Sequence, residues 1–408
     1  MSIEREQNTP ATKAVGARAV LPWLAGSIGA YFLVSFFSNF YPALYQFVLL
    51  SLLFQILCGT AAFLLFSGSQ AERRSDRPAV LTLVIAFALS VSAVIVSWQF
   101  PGLFNRRILF MDSSRLPIFV GLIVISLGAS IVLLKTMERN GALERLRETR
   151  FFKFIQENLP GLLLAMFFLA TYLIFAESIN FPRFRTLDQF FDTDISEWLA
   201  RLTPTTLQDA STVRAVHPAV LLFLRLPVWL ISIFLNGDRL QAVFLMNALA
   251  GASCVLFMWL IVKRASGNTA YSLIMAALLG ASFSHLLLSS MLETYIYSAL
   301  ALLFFTFLIQ NQRTSLQCTV PAGVLVFGIT VTNLVQTCIL YFFNYPRMKV
   351  MIKYVLAVAF IVAVLNQVQV RMYPKARSLL KPSNYAREGY YVWNPLDFSW
   401  RTIGRFSL

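Results

Sequence analysis

Charge is what this sequence has least of. Only 13% of its 408 residues are charged and 58% are hydrophobic, with a mean hydropathy of +0.68. A soluble domain needs more polar surface than that to cover itself, so most of the chain must face lipid or other buried helices. Cysteine is scarce too: Cys58, Cys254, Cys318 and Cys338 all lie in apolar segments without paired spacing. That pattern suggests neither a disulfide framework nor a cysteine metal site, and leaves them as small buried hydrophobes. No Gly-rich phosphate loop follows a strand, no histidines stand at metal-ligand spacing, and no internal repeat or low-complexity tract stands out. A cleavable leader is not expected either. The first residues are polar and mixed in charge, with no small-residue cleavage site after an apolar core, which predicts a retained first helix.

What is present is a series of long apolar runs, around 21–38, 44–67, 79–98, 116–135, 160–176, 240–262, 270–288, 292–309 and 351–369. They approach the roughly 20 residues a helix needs to cross a bilayer, and they are continuous rather than alternating, which argues against membrane strands. The expected fold is therefore all-α: a polytopic integral membrane protein with about ten transmembrane helices and interfacial helices in a large external loop. The formal charge of +15 does not imply nucleic acid, because the basic residues sit between apolar spans rather than in a groove or stripe. The expected organisation is a cytoplasmic tail at 1–20, an N-terminal transmembrane block at 21–158, a second transmembrane core at 159–370 with an external loop at 177–239, and a polar, basic tail at 371–408.

Lys and Arg in short loops stay cytoplasmic, which signs the loops. Loop 68–78 carries Arg73, Arg74 and Arg77, and connection 135–158 carries Lys135, Arg139, Arg145, Arg147, Arg150 and Lys153. With both inside and the N-terminus cytoplasmic, the helix at 160–176 delivers 177–217 to the outer face. Segment 218–235 contains Arg225 and Pro227 near its middle. If it crossed, Lys263 and Arg264 would land outside; we expect it to lie in the interface instead, which keeps them inside. Segment 319–344 reads either as one span or as two short helices broken around Thr332 and Asn333. The two-helix reading places Arg347, Lys349 and Lys353 inside and the tail outside. Multi-pass insertion in a bacterial inner membrane is the expected setting.

Because acids are scarce, their clustering is informative. Segment 177–217 holds Glu177, Asp188, Asp192, Asp194, Glu197 and Asp209, six of the chain's 19 carboxylates. Within FFDTDISEWL (190–199), a D-x-D-x-x-E string opens a predicted short helix on which Asp194 and Glu197 share a face. Carboxylates beside low-dielectric walls can serve as general bases, and helix capping by Asp194 is the structural alternative. His217-Pro218 follows, with Arg214 before it and Arg225 after it. Asn247 lies among small residues that permit close helix packing, and SSMLETYIYSALALLFF (289–305) sets Glu293, Tyr295 and Tyr297 at the mouth of a helix.

That ordered series over roughly 159–345 resembles the GT-C class of membrane glycosyltransferases, and most closely its protein O-mannosyltransferase-like branch. The family's Asp-x-x-Glu, His-Pro and Glu-x-Tyr motifs correspond here to Asp194 and Glu197, His217 and Pro218, and Glu293 and Tyr295. The resemblance implies a cell-envelope transferase whose active site lies outside. Its donor would be a polyprenyl-phosphate sugar and its acceptor a glycan, lipid or protein, and transfer would proceed with inversion. Asp194 would be the general base, with Asp192 as the alternative. Glu197 and Glu293 would position the sugar or acceptor, with Tyr295 beside them, and Arg214, Arg225 or His217 would steady the departing phosphate. A divalent cation held by Asp192 and Asp194 is an optional cofactor in this class. A lipid or solute transporter, or a non-catalytic scaffold, are the alternative readings; a transporter would show charges at mid-membrane depth and symmetry between halves.

Overall fold

The computed structural model describes residues 15–67, 108–180, 194–381 and 383–384, with scattered positions between 88 and 100. The basic loop 68–78, most of the expected span 79–98, Asp188, Asp192 and the tail beyond 384 lie outside the described residues. The chain divides into two compact units, Met1–Leu163 and Leu164–Leu408.

In the first unit, α1 (Val15–Ser38) and α2 (Leu44–Ser67) form a hairpin, and α3 (Leu116–Arg139) packs on α2. Two short helices follow, α4 (Ala142–Glu148) and α5 (Arg150–Glu157). Ala30, Tyr31, Val34, Phe47, Met111 and Phe119 form the core. Gln55, fully buried in an apolar run, donates from Nε2 to the Phe119 carbonyl at 2.9 Å and accepts from the Ser126 hydroxyl at 2.9 Å. Lipid offers no replacement partner for such a group, so its bonds tie α2 to α3. The α1–α2 contact is closest at Gly26, where an added Cβ would stand 2.5 Å from the Cys58 carbonyl oxygen and 2.8 Å from the Gly59 Cα. Gly26→Ala should force the two backbones apart and cost about 1–3 kcal/mol. Gly128→Ala, where a Cβ meets nothing within 4 Å, should not. Thermal unfolding of the two variants in lipid compares them directly.

The second unit takes up α6 (Leu159–Asn180), which begins at the end of the first. It continues with α7 (Ile195–Leu202), α8 (Val220–Phe234), α9 (Arg239–Ser266), α10 (Thr269–Ala281), α11 (Phe283–Ser290), α12 (Tyr295–Gln310), α13 (Leu316–Ile329), α14 (Leu334–Asn344) and α15 (Met348–Met372). Helix α9 is central and packs against α8, α10, α11 and α12. Its small residues allow this: the Gly251 Cα faces the Ser289 side chain, and the His285 ring lies 3.1 Å from the Gly251 carbonyl oxygen.

The chain is all-helical among the described residues, apart from one isolated parallel bridge between Val213 and Ala376. Among the described residues five helices are long and apolar enough to cross a bilayer: Leu44–Leu65 of α2, α3, α6, α9 and α15. A sixth is counted if α10 and α11, bent by 60° at Ser282, form one span. About ten were expected from the apolar runs. Of those runs, 292–309 becomes α12 with 16 residues; segment 218–235, expected in the interface, is α8 with 15, and α13 has 14. At 1.5 Å per residue, each is near 20–25 Å and falls short of a roughly 30 Å hydrocarbon core. The run at 319–344 takes its two-helix form, α13 and α14 being separated by extended Thr330 and a 3₁₀ turn at Val331–Asn333.

These interruptions fall together. Asn180 at the end of α6 donates to the Ser290 carbonyl at the end of α11 (2.8 Å). Asn247, early in α9, donates to the carbonyls of Leu288 and Met291. Ser298, early in α12, meets Thr330 after α13 at 3.1 Å, and Gln369, late in α15, donates to the His217 carbonyl at 3.2 Å. One end of the second unit is thus a polar layer of loops and helix ends. At the other end, Arg264 late in α9 donates to the Gln310 carbonyl at the end of α12 (3.3 Å), and the Tyr341 hydroxyl donates to the Thr314 carbonyl (3.0 Å). Tyr341 also stacks on Tyr354 of α15. That end carries Lys263, Arg264, Arg313, Arg347, Lys349 and Lys353.

Candidate functional site

Helix α7 is short and held by one face. Ile195, Trp198, Arg201 and Leu202 are buried at helical spacing, while Ser196, Glu197 and Ala200 face outward. Asp194 occupies its N-cap but makes no side-chain cap hydrogen bond. Its backbone serves instead: its carbonyl accepts from Trp198 N–H at 2.9 Å, and its N–H donates to Glu293 Oε1 at 2.5 Å. Glu293 stands in the link between α11 and α12, 5% exposed, and so joins the acidic loop to the helix mouth across 99 positions of sequence. Asp194 thus takes the N-cap position that the structural alternative gave it, but without a side-chain cap bond.

Arg201 was not singled out from the sequence, yet it organises this cluster. Its side chain is 3% exposed. It forms an ion pair with half-exposed Glu197, donates from Nε to the Thr212 carbonyl at 2.9 Å, and lies 4.5 Å over the Trp198 ring. Trp198 in turn meets the His217 ring edge-on at 5.5 Å. His217 Nδ1 lies 2.7 Å from the Ile329 carbonyl oxygen, and since a carbonyl only accepts, Nδ1 carries the proton. Burial holds this imidazole below the usual histidine range, with Arg201 and Arg214 pushing the same way and the Ile329 carbonyl opposing. At neutral pH it is uncharged, so positive charge in the cluster comes from Arg201 and exposed Arg214 rather than from His217.

Arg225 is placed elsewhere. It is buried, Nη2 donates to the carbonyls of Pro204 (2.6 Å) and Thr206 (3.1 Å), and the guanidinium lies 5.2 Å over the Tyr373 ring. With Arg239, which also donates to Pro204, it pins the loop after α7. Tyr295 is 64% exposed on the outside of α12, while Tyr297, two residues on, turns inward beside Glu293.

Trp198, Leu224, Val243, Asn247, Glu293 and Tyr297 line a crevice that, as it stands, is too narrow to admit a water molecule. Among the described residues, the Tyr297 hydroxyl and Asn247 Oδ1 are buried there without a hydrogen-bond partner. Each such group costs about 1–3 kcal/mol. Burial, reinforced by the Asp194 carboxylate and opposed by the Asp194 amide, raises the Glu293 carboxyl from 4.5 to about 7. Between these values the folded protein holds a proton that the unfolded chain has released, so stability falls as pH rises through this window. Thermal stability should therefore decline from about pH 5 to pH 8, by up to roughly 3 kcal/mol, and Glu293→Gln should flatten that profile.

The loop bearing His217-Pro218 is clamped from a helix whose apolar run hid its role. Asn366 and Gln369 of α15 are fully buried. Asn366 donates to the Pro218 carbonyl (3.0 Å) and accepts from Leu379 N–H (2.7 Å). Gln369 accepts from Leu221 N–H (2.8 Å) while donating to the His217 carbonyl. Backbone bonds from Ala219 to Gly328 (2.9 Å) and from Val331 to Val216 (3.1 Å) add the break between α13 and α14 to the clamp. Asp194, Glu197, His217 and Glu293 are thus brought together; Arg225 and Tyr295 are not part of this cluster, and Asp192 is outside the described residues. Among the described residues no three His, Cys, Asp or Glu side chains converge as a metal site, so the donor set in view does not by itself complete a divalent-cation site. No protein-family model, curated protein or solved structure matches the chain.

Proposed function

We propose that this chain is a membrane glycosyltransferase of GT-C type, moving a sugar from a polyprenyl-phosphate donor to an acceptor hydroxyl at the outer membrane face. The observation that supports this reading most is the Asp194–Glu293 junction: two acidic elements far apart in sequence meet at the polar end of an apolar bundle, with arginines beside them. A lipid-phosphate donor suits such a place, since its tail requires bilayer and its sugar requires a polar mouth.

In this reading the Asp194 carboxylate takes the proton from the acceptor hydroxyl as that oxygen attacks the anomeric carbon. The bond from that carbon to the phosphate oxygen breaks on the opposite side, which inverts the centre. Negative charge gathering on the leaving lipid phosphate is met by Arg214, with Arg201 behind it. Glu293, carrying a proton for much of the time at neutral pH, hydrogen-bonds substrate hydroxyls without opposing the Asp194 charge. Sidedness follows from charge: Lys263, Arg264, Arg313, Arg347, Lys349 and Lys353 lie at the end opposite the site, and the positive-inside rule puts that end in the cytoplasm.

The test is transfer of label from a panel of radiolabelled polyprenyl-phosphate sugars to membrane extract by the purified protein in lipid. Label appearing in acceptor with one donor supports the reading. Absence of binding to every donor rejects it in favour of a transporter or scaffold.

A further inference from the structure

Two polar groups beside Glu293 have no part in proton transfer or phosphate departure. Asn247 of α9, 1% exposed, is fixed by its Nδ2, which donates to the carbonyls of Leu288 and Met291. Two carbonyls require the NH₂ there, so Oδ1 faces away from them as an acceptor, and among the described residues it has no donor. Tyr297 of α12, 7% exposed, brings a hydroxyl that is likewise unpartnered. Phenylalanine would fill the same space without burying an unpaired hydroxyl. Unpaired polar groups in a native interior call for an explanation, and here two of them line one crevice with a third polar group, Glu293.

The walls decide what fits. Trp198, Leu224 and Val243 offer apolar surface, and no Lys or Arg lines the crevice, so a phosphate there would be buried without a counter-charge. A ring with an acidic substituent would likewise bury its carboxylate between dry walls without a counter-charge. A neutral sugar ring presents C–H faces to the apolar walls and hydroxyls to Asn247 Oδ1, the Tyr297 hydroxyl and Glu293. We propose that this crevice is the subsite for the donor's sugar ring, and that Tyr297 and Asn247 select a neutral, hydroxyl-bearing ring. The proposal rests on the glycosyltransferase reading. Because the crevice as it stands is too narrow for water, the ring enters only as the walls move apart.

Equilibrium binding to the full chain in lipid nanodiscs, without acceptor, tests this with three short-chain probes: citronellyl phosphate alone, the same lipid phosphate carrying a neutral hexose, and the same carrying a hexuronic acid. The hexose form should bind at least about tenfold tighter than the other two. Tyr297→Phe should weaken the hexose form about five- to tenfold, leave bare lipid phosphate unchanged, and unfold at the same temperature as wild type or higher. Equal binding of the three probes by wild type, or hexose binding unchanged in Tyr297→Phe, overturns the subsite. If transfer occurs while Tyr297→Phe has no effect, the subsite fails and the transferase reading stands. Tyr297-dependent hexose binding with no transfer to any acceptor does the reverse.

Discussion

Asp194→Asn is expected to lower sugar transfer by about 10²–10⁴-fold, the usual span for loss of a general base, while leaving fold and donor affinity in place. The contacts that locate residue 194 are made by its backbone: N–H to Glu293 Oε1 and carbonyl to Trp198 N–H. The side chain makes no cap hydrogen bond, and Asn is as acceptable at an N-cap as Asp, so α7 should start in the same place. What changes is chemistry: an amide cannot take the acceptor's proton. Transfer rate and donor binding, measured side by side in lipid, separate the two effects. If the variant keeps activity within a few-fold of wild type, the base is another group, with Glu293 and Asp192 the first to try.

What could be read from sequence depended on contrast. Asp194, Glu197 and Glu293 stood out because a chain with 19 acids has few to spare, and a carboxylate at the mouth of an apolar helix is conspicuous. His217 was marked by its proline. The long helices were legible for the same reason, and α2 occupies 44–67 as its apolar run predicts. Arg201 was missed because a single Arg near an acidic string reads as an ordinary ion pair; only the fold shows it sealed against Trp198. Arg225 stood out because a lone cation in an apolar segment invites a ligand; in the fold its Nη2 is taken by backbone carbonyls of the loop after α7. Tyr297 and Tyr295 differ by two residues, about 200° around a helix, so the Glu-x-Tyr pattern pointed to the outward one. Helix ends were harder still. The apolar runs continue past the bend at Ser282 and the break at Thr330, because hydropathy measures preference for lipid and does not record where backbone hydrogen bonds change partners.

Gln369→Leu makes the same point as a measurement. By hydropathy alone the change should help, since it replaces the polar side chain of an apolar helix with a better lipid-soluble one. We expect it to destabilise the second unit by about 2–4 kcal/mol. Leu221 N–H belongs to the first turn of α8, where no helical carbonyl is available, and Gln369 Oε1 is its acceptor at 2.8 Å. The His217 carbonyl loses the Nε2 donor in the same step. Both groups sit in a layer closed by α13, α15 and the Val213–Ala376 bridge, so two buried backbone groups are orphaned together. Val368→Leu, on the half-exposed neighbouring face of α15, should change stability little and serves as the control. The loosened loop carries His217 and, through Trp198, bears on α7, so donor affinity should fall along with the unfolding temperature. An unfolding temperature equal to wild type would mean that the His217-Pro218 loop is held without α15, and that the polar end of α15 has some other purpose.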